Sequence, residues 1–289
     1  TAPSSVTVNG TVSAAGTGVI TLGDSGTAVS VTGDSTVGGA STGQITFGAI
    51  TISDGKTLTV GAGASTPISM TTVSGVASGS ASNLTINTAG ALAVSGAIGT
   101  DIGTLTITNS GGTTFSGAVS ATTVTLTNTT GTIAFNGALT ATTLSTAAQA
   151  YNVGLNATTG TITNAVTFSN TGTLALGATG GTLAFTGGIT ATAPSTTVKG
   201  TLTAEGSAVI SLGSVSVASN STIGGSSTGQ ITLGATTLVD GVTLNLGTGI
   251  ANVISLSSVS GTTDGSASNI TINTTGAVTA SGAIGTDIG

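Results

Sequence analysis

Apolar and polar residues alternate in three short runs between Thr123 and Thr142. Val124 and Leu126 alternate with threonines in the first run, and Ile133 and Phe135 flank an alanine in the second. Asparagine and glycine residues, which favour turns, separate the runs. Strict alternation over a few residues is typical of a half-buried strand. The stretch therefore predicts three short β-strands joined by tight turns.

Segments with the same pattern recur along the chain. Thr104–Thr122 lies directly before this stretch, Thr173–Thr192 lies after it, and Val153–Thr163 is a shortened relative. A coil of about 20 residues cannot bury its apolar face alone, so it needs neighbouring coils above and below it. The recurrence predicts an all-β fold, a parallel β-solenoid with three short strands per coil. The crossover rule for parallel strands favours a right-handed solenoid.

The alternation also determines which side chains should face the core. We expect eight residues to point inward: Val124, Leu126, Ile133, Phe135, Leu174, Leu176, Leu183 and Phe185. We expect four others to point outward: Thr125, Thr127, Ala175 and Ala184. Phe115 and Phe135 occupy the same position in two coils, which predicts an internal stack of aromatic rings.

A longer repeat is superimposed on the coils. The segment Ser95–Gly103 recurs as Ser281–Gly289, so that equivalent residue numbers differ by 186. The same offset relates Gly79–Ala91 to Gly265–Ala277, with only small changes in sequence. Similar but non-identical copies are what tandem duplication leaves. We therefore expect the chain to be a window on a longer tandem array.

This longer repeat suggests a domain organisation. We interpret residues 1–289 as one continuous β-solenoid, in which about 1–103 is equivalent to 192–289 and coils 104–191 lie between them. A solenoid that stops at Thr1 and Gly289 would expose two open strand edges. We expect these edges to be continued axially by further repeats of the same polypeptide or by identical subunits, at about 4.8 Å per coil.

The composition excludes several classes of function. Charged residues make up 3 % of the chain, aromatic residues 2 %, and the net charge is −6, with Lys56 and Lys199 as the only cations. Two cations cannot neutralise a phosphate backbone, so we expect no nucleic-acid partner. The absence of Cys removes disulfides and thiolate metal sites. No apolar run approaches the roughly 18 residues of a spanning helix, so we expect no membrane span.

Short Thr-Leu-Thr-Ile-Thr-Asn strands, Gly-Thr-Ile turns, coils of near-constant length and a near absence of charge occur together in this chain. In these features it resembles the β-helical shafts of filamentous-haemagglutinin-like adhesins and other giant strand-repeat surface proteins of bacteria. The resemblance implies a secreted, non-catalytic structural protein at the bacterial cell surface, serving attachment, biofilm or surface-layer roles. It also implies cell-surface glycans or other cells as candidate partners. No functional residue is carried over from these families.

The inventory of side chains leaves little for catalysis. Without His, Cys or Arg, paired carboxylates or a hydroxyl activated by Lys are the remaining routes. Asp24 and Asp34 lie in Gly- and Ser-rich turns, where an Asp caps its own backbone. We therefore assign no catalytic, cofactor-binding or metal-binding residue and expect no cofactor. A carbohydrate-active β-helix enzyme stays open as an alternative.

The remaining acids include repeated pairs. Asp54 and Asp240 are equivalents in the long repeat, as are Asp101 and Asp287. Equivalents so far apart in a solenoid are separated by many coils, whereas two glycosidase carboxylates lie within about 5 to 9 Å. The calcium-binding pattern with regularly repeated Asp does not occur. The enzyme alternative would need a cleft lined by two or more acids.

Ice binding is a second alternative. An ice-binding solenoid needs flat columns of Thr-x-Thr, and part of this chain carries that pattern. The threonines of Thr104–Thr108 align with those of Thr123–Thr127. Gly154 and Ala175 replace the middle threonine in the related coils. We therefore expect a patch of only two coils, explained by the β-propensity of Thr. A flat threonine face over four or more coils would favour ice binding.

Overall fold

The computed structural model describes residues 3–24, 26–263 and 265–289. These residues form 32 strands and no helix, and the strand pairings given between them are parallel. The predicted parallel β-solenoid is therefore confirmed. The chain forms two compact units, Thr1–Ala147 and Ala148–Gly289. The prediction of an open edge at Thr1 falls on a residue outside the described ranges, and the prediction of one continuous solenoid stays a prediction.

Most strands are short, and each unit also contains several strands of eight residues or more. Unit 1 contains β1 Ser5–Val8, β2 Thr11–Ala14, β3 Ile20–Leu22, β4 Ala28–Val31, β5 Ser35–Gly39, β6 Ile45–Phe47, β7 Ile50–Ile52, β8 Thr57–Val60, β9 Ile68–Met70, β10 Val73–Gly75, β11 Ser82–Asn87, β12 Leu92–Val94, β13 Ile98–Gly99, β14 Ile102–Asn109, β15 Thr113–Phe115, β16 Val119–Leu126, β17 Thr132–Phe135 and β18 Leu139–Thr146. Unit 2 contains β19 Asn152–Leu155, β20 Thr159–Ile162, β21 Val166–Thr167, β22 Thr173–Leu176, β23 Thr182–Phe185, β24 Ile189–Ala191, β25 Ser195–Ala204, β26 Ile210–Leu212, β27 Val215–Gly225, β28 Ile231–Leu238, β29 Thr243–Leu246, β30 Ile254–Gly261, β31 Asn269–Ile272 and β32 Val278–Ala280.

Each coil of unit 1 has three sides. Side A is formed by β1, β4, β7, β10 and β13. Side B is formed by β2, β5, β8, β11 and β14, and side C by β3, β6, β9, β12, β15 and β17. Strands β16 and β18 begin on side A and end on side B. Unit 2 also has three sides, with β25, β27, β28 and β30 each shared between two.

Two details differ from the sequence-based expectation. A coil has about 22 residues, slightly more than predicted, because some coils carry longer loops. Several strands also continue around a corner. In β16 a single residue, Thr122, lies between Ala121, which pairs with Ala141, and Thr123, which pairs with Thr143. A β-branched residue favours extended backbone, so the corner does not interrupt the strand.

The predicted core register is confirmed. All eight residues expected to point inward are at most 4 % exposed. Thr127 is exposed, and Thr125, Ala175 and Ala184 are half-buried on the outer surface. The rings of Phe115 and Phe135 stack with centroids 4.8 Å apart and an interplanar angle of 17°. The core of each unit is therefore a set of aliphatic and aromatic columns.

A buried polar column runs through one corner of unit 1, and the sequence reasoning did not anticipate it. Its members have hydroxyl side chains and are at most 3 % exposed: Ser41, Thr66, Thr88, Ser110 and Thr129. The Thr88 hydroxyl donates to the Thr66 carbonyl at 2.6 Å and accepts from the Gly90 N–H at 3.0 Å. Buried backbone N–H and C=O groups need hydrogen-bond partners. The column supplies these partners at the corner, which lies outside the strand ladders.

Unit 2 repeats this corner with one change of residue. Ser227, Asn252 and Thr274 are the equivalents of Ser41, Thr66 and Thr88 in the long repeat. The side-chain amide of Asn252 donates to the carbonyl of Ser227 at 2.6 Å and to that of Gly229 at 2.8 Å. An amide N–H can donate where a hydroxyl does. The position therefore requires a buried donor rather than one particular residue.

Candidate functional site

The acidic residue Asp24 has a local structural role. Its Oδ1 atom accepts a hydrogen bond from the Gly26 N–H at 2.8 Å. This bond lowers the pKa of Asp24 below its usual range, and the nearby Thr27 side chain adds to the effect. The predicted turn role is therefore confirmed for Asp24.

Asp34 caps the next coil rather than its own turn. Its Oδ1 atom accepts a hydrogen bond from the N–H of Thr57, the first residue of β8, at 2.9 Å. In unit 2, Asn220 occupies the equivalent position and its Oδ1 atom accepts from the Thr243 N–H, also at 2.9 Å. The expectation that Asp34 caps its own backbone is corrected here. Because an amide serves equally well, the site requires an acceptor oxygen and no charge.

Two other repeated acids lie at corners with unusual backbone. Thr100 and Asp101 have φ of 48° and 59°, and Thr286 and Asp287 have φ of 37° and 58°. The carbonyl of Thr100 accepts a hydrogen bond from the N–H of Gly75 at 2.7 Å. Asp is one of the few residues that tolerates this left-handed region. The Asp at each corner therefore serves the turn geometry of its own unit.

Asp54 and Asp240 lie beside loops of the following coil in their own units. The side chain of Asp54 is close to Gly79, and that of Asp240 is close to Gly265. The carboxylate of Asp240 accepts a hydrogen bond from the Thr262 hydroxyl. Within the described ranges, no group of three or more acidic, His or Cys side chains is placed to hold a metal ion.

An open groove on side C of unit 1 has a volume of about 480 Å³. It is lined by Gln44, Pro67 and residues of β9, β12 and β15, including Ile68, Leu92 and Thr113. Hydroxyl, amide and aliphatic groups line it, and no titratable side chain is among its lining residues. This groove therefore offers no general acid or base.

The most regular outward feature is a double column of hydroxyl residues on side B of unit 1. In the first column Thr59 pairs with Thr85, Thr85 with Thr106, Thr106 with Thr125 and Thr125 with Ser145. In the second column, two residues earlier on each strand, the members are Thr57, Asn83, Thr104, Thr123 and Thr143. Five successive coils thus carry Thr-x-Thr or a close variant. The expectation of a two-coil patch is wrong.

The other sides of unit 1 lack such a double column. The outward column of side C contains threonine mixed with other residues: Thr21, Thr46, Ser69, Ala93, Thr114 and Ala134. On side A, Gly99 interrupts the outward column between Ser74 and the first half of β16. Strand propensity acts on all three sides equally, so it does not account for the uniformity of side B.

The chain matches no protein-family model, no curated protein and no solved structure. The resemblance to adhesin shafts is therefore supported at the level of the β-solenoid fold alone. The described residues contain no helix long and apolar enough to cross a membrane.

Gly154 and Ala175, which were expected to interrupt the threonine array, form a column in unit 2. Gly154 pairs with Ala175, and Ala175 pairs with Thr197. In unit 1, the column that contains Thr125 continues through coils on its N-terminal side. The threonines that extend the column lie in these preceding coils. The useful signal was therefore the recurring Thr-x-Thr of short strands, followed through loops of different lengths.

Proposed function

We propose that this chain is part of the non-catalytic shaft of a bacterial extracellular fibre, at the cell surface or in a biofilm or surface layer. The observation that carries the proposal is the use of polar side chains to join one coil to the next. Asp34 and Asn220 cap the following coil in the same way, and the buried corner hydroxyls of Thr66, Thr88 and Thr129 donate to carbonyls of the preceding coil. Side chains used in this way favour a scaffold over a catalyst.

The last coil of unit 2 supports axial continuation. Three of its apolar residues are between 36 and 44 % exposed: Ile272, Val278 and Ile284. Their counterparts in the first copy of the long repeat are at most 2 % exposed: Ile86, Leu92 and Ile98. In unit 1 the residues paired with these counterparts belong to the next coil: Ile107, Thr113 and Val119. We propose that a coil of the same kind, from the same polypeptide or an identical subunit, covers the end of unit 2.

The absence of a catalytic role is part of the proposal. Asp24, Asp34 and Asp240 hold hydrogen-bond donors of turns or neighbouring coils, and the side C groove has no titratable lining. The hydrogen bonds to Asp24 lower its pKa, so this carboxylate is a weaker base than an ordinary Asp. Attachment to cell-surface glycans or other cells is the role we propose for the fibre as a whole.

The proposal can be tested by extending the chain by one repeat. Residues 104–289 would be fused after Gly289, because Gly103 and Gly289 are equivalent positions. We expect electron microscopy to show a particle longer by about 40 Å, the height of eight to nine coils at about 4.8 Å each. Particles of unchanged length, or aggregates without repeat order, would count against a shaft.

The location can be tested separately with antibodies raised against the chain. We expect them to label intact cells of the source bacterium, and protease treatment of those cells to remove the label. Labelling that requires permeabilised cells would contradict an extracellular shaft even if the fused protein lengthens as expected.

A further inference from the structure

We propose that side B of unit 1 is an ice-binding surface. Ten positions on five successive coils form the array: Thr57, Thr59, Asn83, Thr85, Thr104, Thr106, Thr123, Thr125, Thr143 and Ser145. Eight of the ten are threonine. The inference goes beyond the shaft proposal, which would stand if the array bound nothing.

The pairing makes the array a two-dimensional lattice. Neighbouring coils are about 4.8 Å apart, and alternate residues along a strand are about 6.7 Å apart. The register between β11 and β14 shifts only at Ser82/Asn83 and Ile86/Asn87, so the array residues Thr85 and Thr106 stay in register. Ice contains planes in which water oxygens repeat in straight rows at spacings close to these two distances. A regular lattice of side chains can therefore meet many ice positions at once.

The side chains of the array suit an ordered water layer. The hydroxyls of Thr59, Thr85, Thr106 and Thr125 form no hydrogen bond with another described group of the protein. Each of these residues is half-buried, because neighbouring side chains pack beside it on the surface. Each therefore offers an available hydroxyl beside a methyl group. Water next to a methyl group has restricted orientations, which favours an ice-like arrangement between the columns.

The charge of the surface favours ice over an ionic ligand. Strands β8, β11, β14, β16 and β18 contain no charged residue. A neutral array has no favourable charge interaction with a polyanion or a polycation. An ice surface, by contrast, is neutral and bears both hydrogen-bond donors and acceptors. A hydroxyl can donate and accept, so it can pair with either orientation of a surface water.

The test compares one substitution on the array with a matched substitution on another side. Thr106 is at the centre of the array on side B, and Thr114 is exposed on side C between Ala93 and Ala134. The purified 289-residue chain and the variants Thr106→Lys and Thr114→Lys would be assayed for thermal hysteresis and for incorporation into a growing ice hemisphere. Circular dichroism would confirm that all three keep their strands.

We expect the unsubstituted chain and Thr114→Lys to shape ice equally. We expect Thr106→Lys to reduce thermal hysteresis severalfold, because a long charged side chain lifts the ice lattice off the neighbouring threonines. Thr106→Ser, which keeps the hydroxyl and loses the methyl, should give an intermediate value. The proposal is overturned if the folded chain neither shapes ice nor enters it, or if both Lys variants lose activity equally. Binding to crystalline cellulose or chitin without binding to ice would also overturn it.

Discussion

Asp34 and Asn220 accept the same hydrogen bond at equivalent positions of the long repeat. The Oδ1 atom of Asp34 accepts from the Thr57 N–H, and that of Asn220 accepts from the Thr243 N–H, each at 2.9 Å. The tandem copies therefore preserve the acceptor and its geometry while the charge has been exchanged for an amide. The bond links one coil to the first residue of a strand in the next coil.

This equivalence predicts how substitutions at Asp34 behave. We expect Asp34→Asn to change the free energy of unfolding by less than about 0.5 kcal/mol, because the acceptor stays. Asp34→Ala should lower it by about 1 kcal/mol, because the Thr57 N–H then loses its partner. Urea denaturation of the 289-residue chain measures both. A loss for Asn as large as that for Ala would show that the charge matters rather than the acceptor oxygen.

The buried corner column predicts a second and larger effect. Thr88→Val keeps the shape of the side chain but removes the hydroxyl that donates to the Thr66 carbonyl and accepts from the Gly90 N–H. We expect a loss of about 1 to 3 kcal/mol, the usual cost of leaving a buried polar group without a partner. The matched control is Thr108→Val at an exposed position, which should be close to neutral. Equal effects of the two variants in urea denaturation would contradict this role.

The core and the fold could be predicted from alternation, whereas the threonine array could not. Burial requires period two, and the period is visible at Val124 and Leu126 without knowledge of any other coil. The array depends on which coils are neighbours in space. The partners Thr57 and Asn83 are further apart in the sequence than the partners Thr104 and Thr123. The loop 76–81 adds this extra length, so matching coils of constant length does not find the column.

The corner column was missed for a different physical reason. Ser and Thr are common on the outer surface of this chain, so a buried hydroxyl looks like an exposed one when residues are classified as polar or apolar. A more specific signal exists, since a Gly follows two residues after Ser41, Thr88 and Ser110. In each case the hydroxyl accepts a hydrogen bond from that Gly N–H. This is the local geometry of a turn closed by a hydroxyl side chain.

The aromatic stack predicts a severe effect for a charged substitution in the core. Phe135 is fully buried and stacks on Phe115. We expect Phe135→Asp to lower the free energy of unfolding by about 4 kcal/mol or more, because it leaves a cavity and buries an unpaired charge. Phe135→Leu is the control and should be tolerated better. Thermal denaturation followed by circular dichroism measures both, and similar midpoints for the two variants would place Phe135 outside the core.

The sparse charge predicts that stability depends little on salt. The only cations are Lys56 and Lys199. Salt at about 1 M shortens the screening length to about 3 Å, which weakens exposed charge interactions and leaves backbone hydrogen bonds and apolar contacts largely intact. We expect the midpoint of urea denaturation to fall by no more than a small amount between low and high sodium chloride. A large fall would show that charge interactions stabilise the solenoid.

The exposed end of unit 2 predicts concentration-dependent self-association. Val278 is 44 % exposed, whereas its counterpart Leu92 lies under the next coil and is 2 % exposed. A coil stacked on this end would bury Val278. In Val278→Lys the ammonium group would lose its hydration on stacking. We therefore expect this variant to weaken association at least tenfold, which corresponds to about 1.4 kcal/mol. Thr279→Lys is the matched control, since Thr279 alternates with Val278 along β32 and should stay at the outer surface of a stacked coil. Sedimentation velocity over a range of protein concentrations measures both variants against the unsubstituted chain. Equal weakening by the two variants would indicate association through an outer side, and a monomeric unsubstituted chain at the highest concentration would contradict axial stacking of subunits.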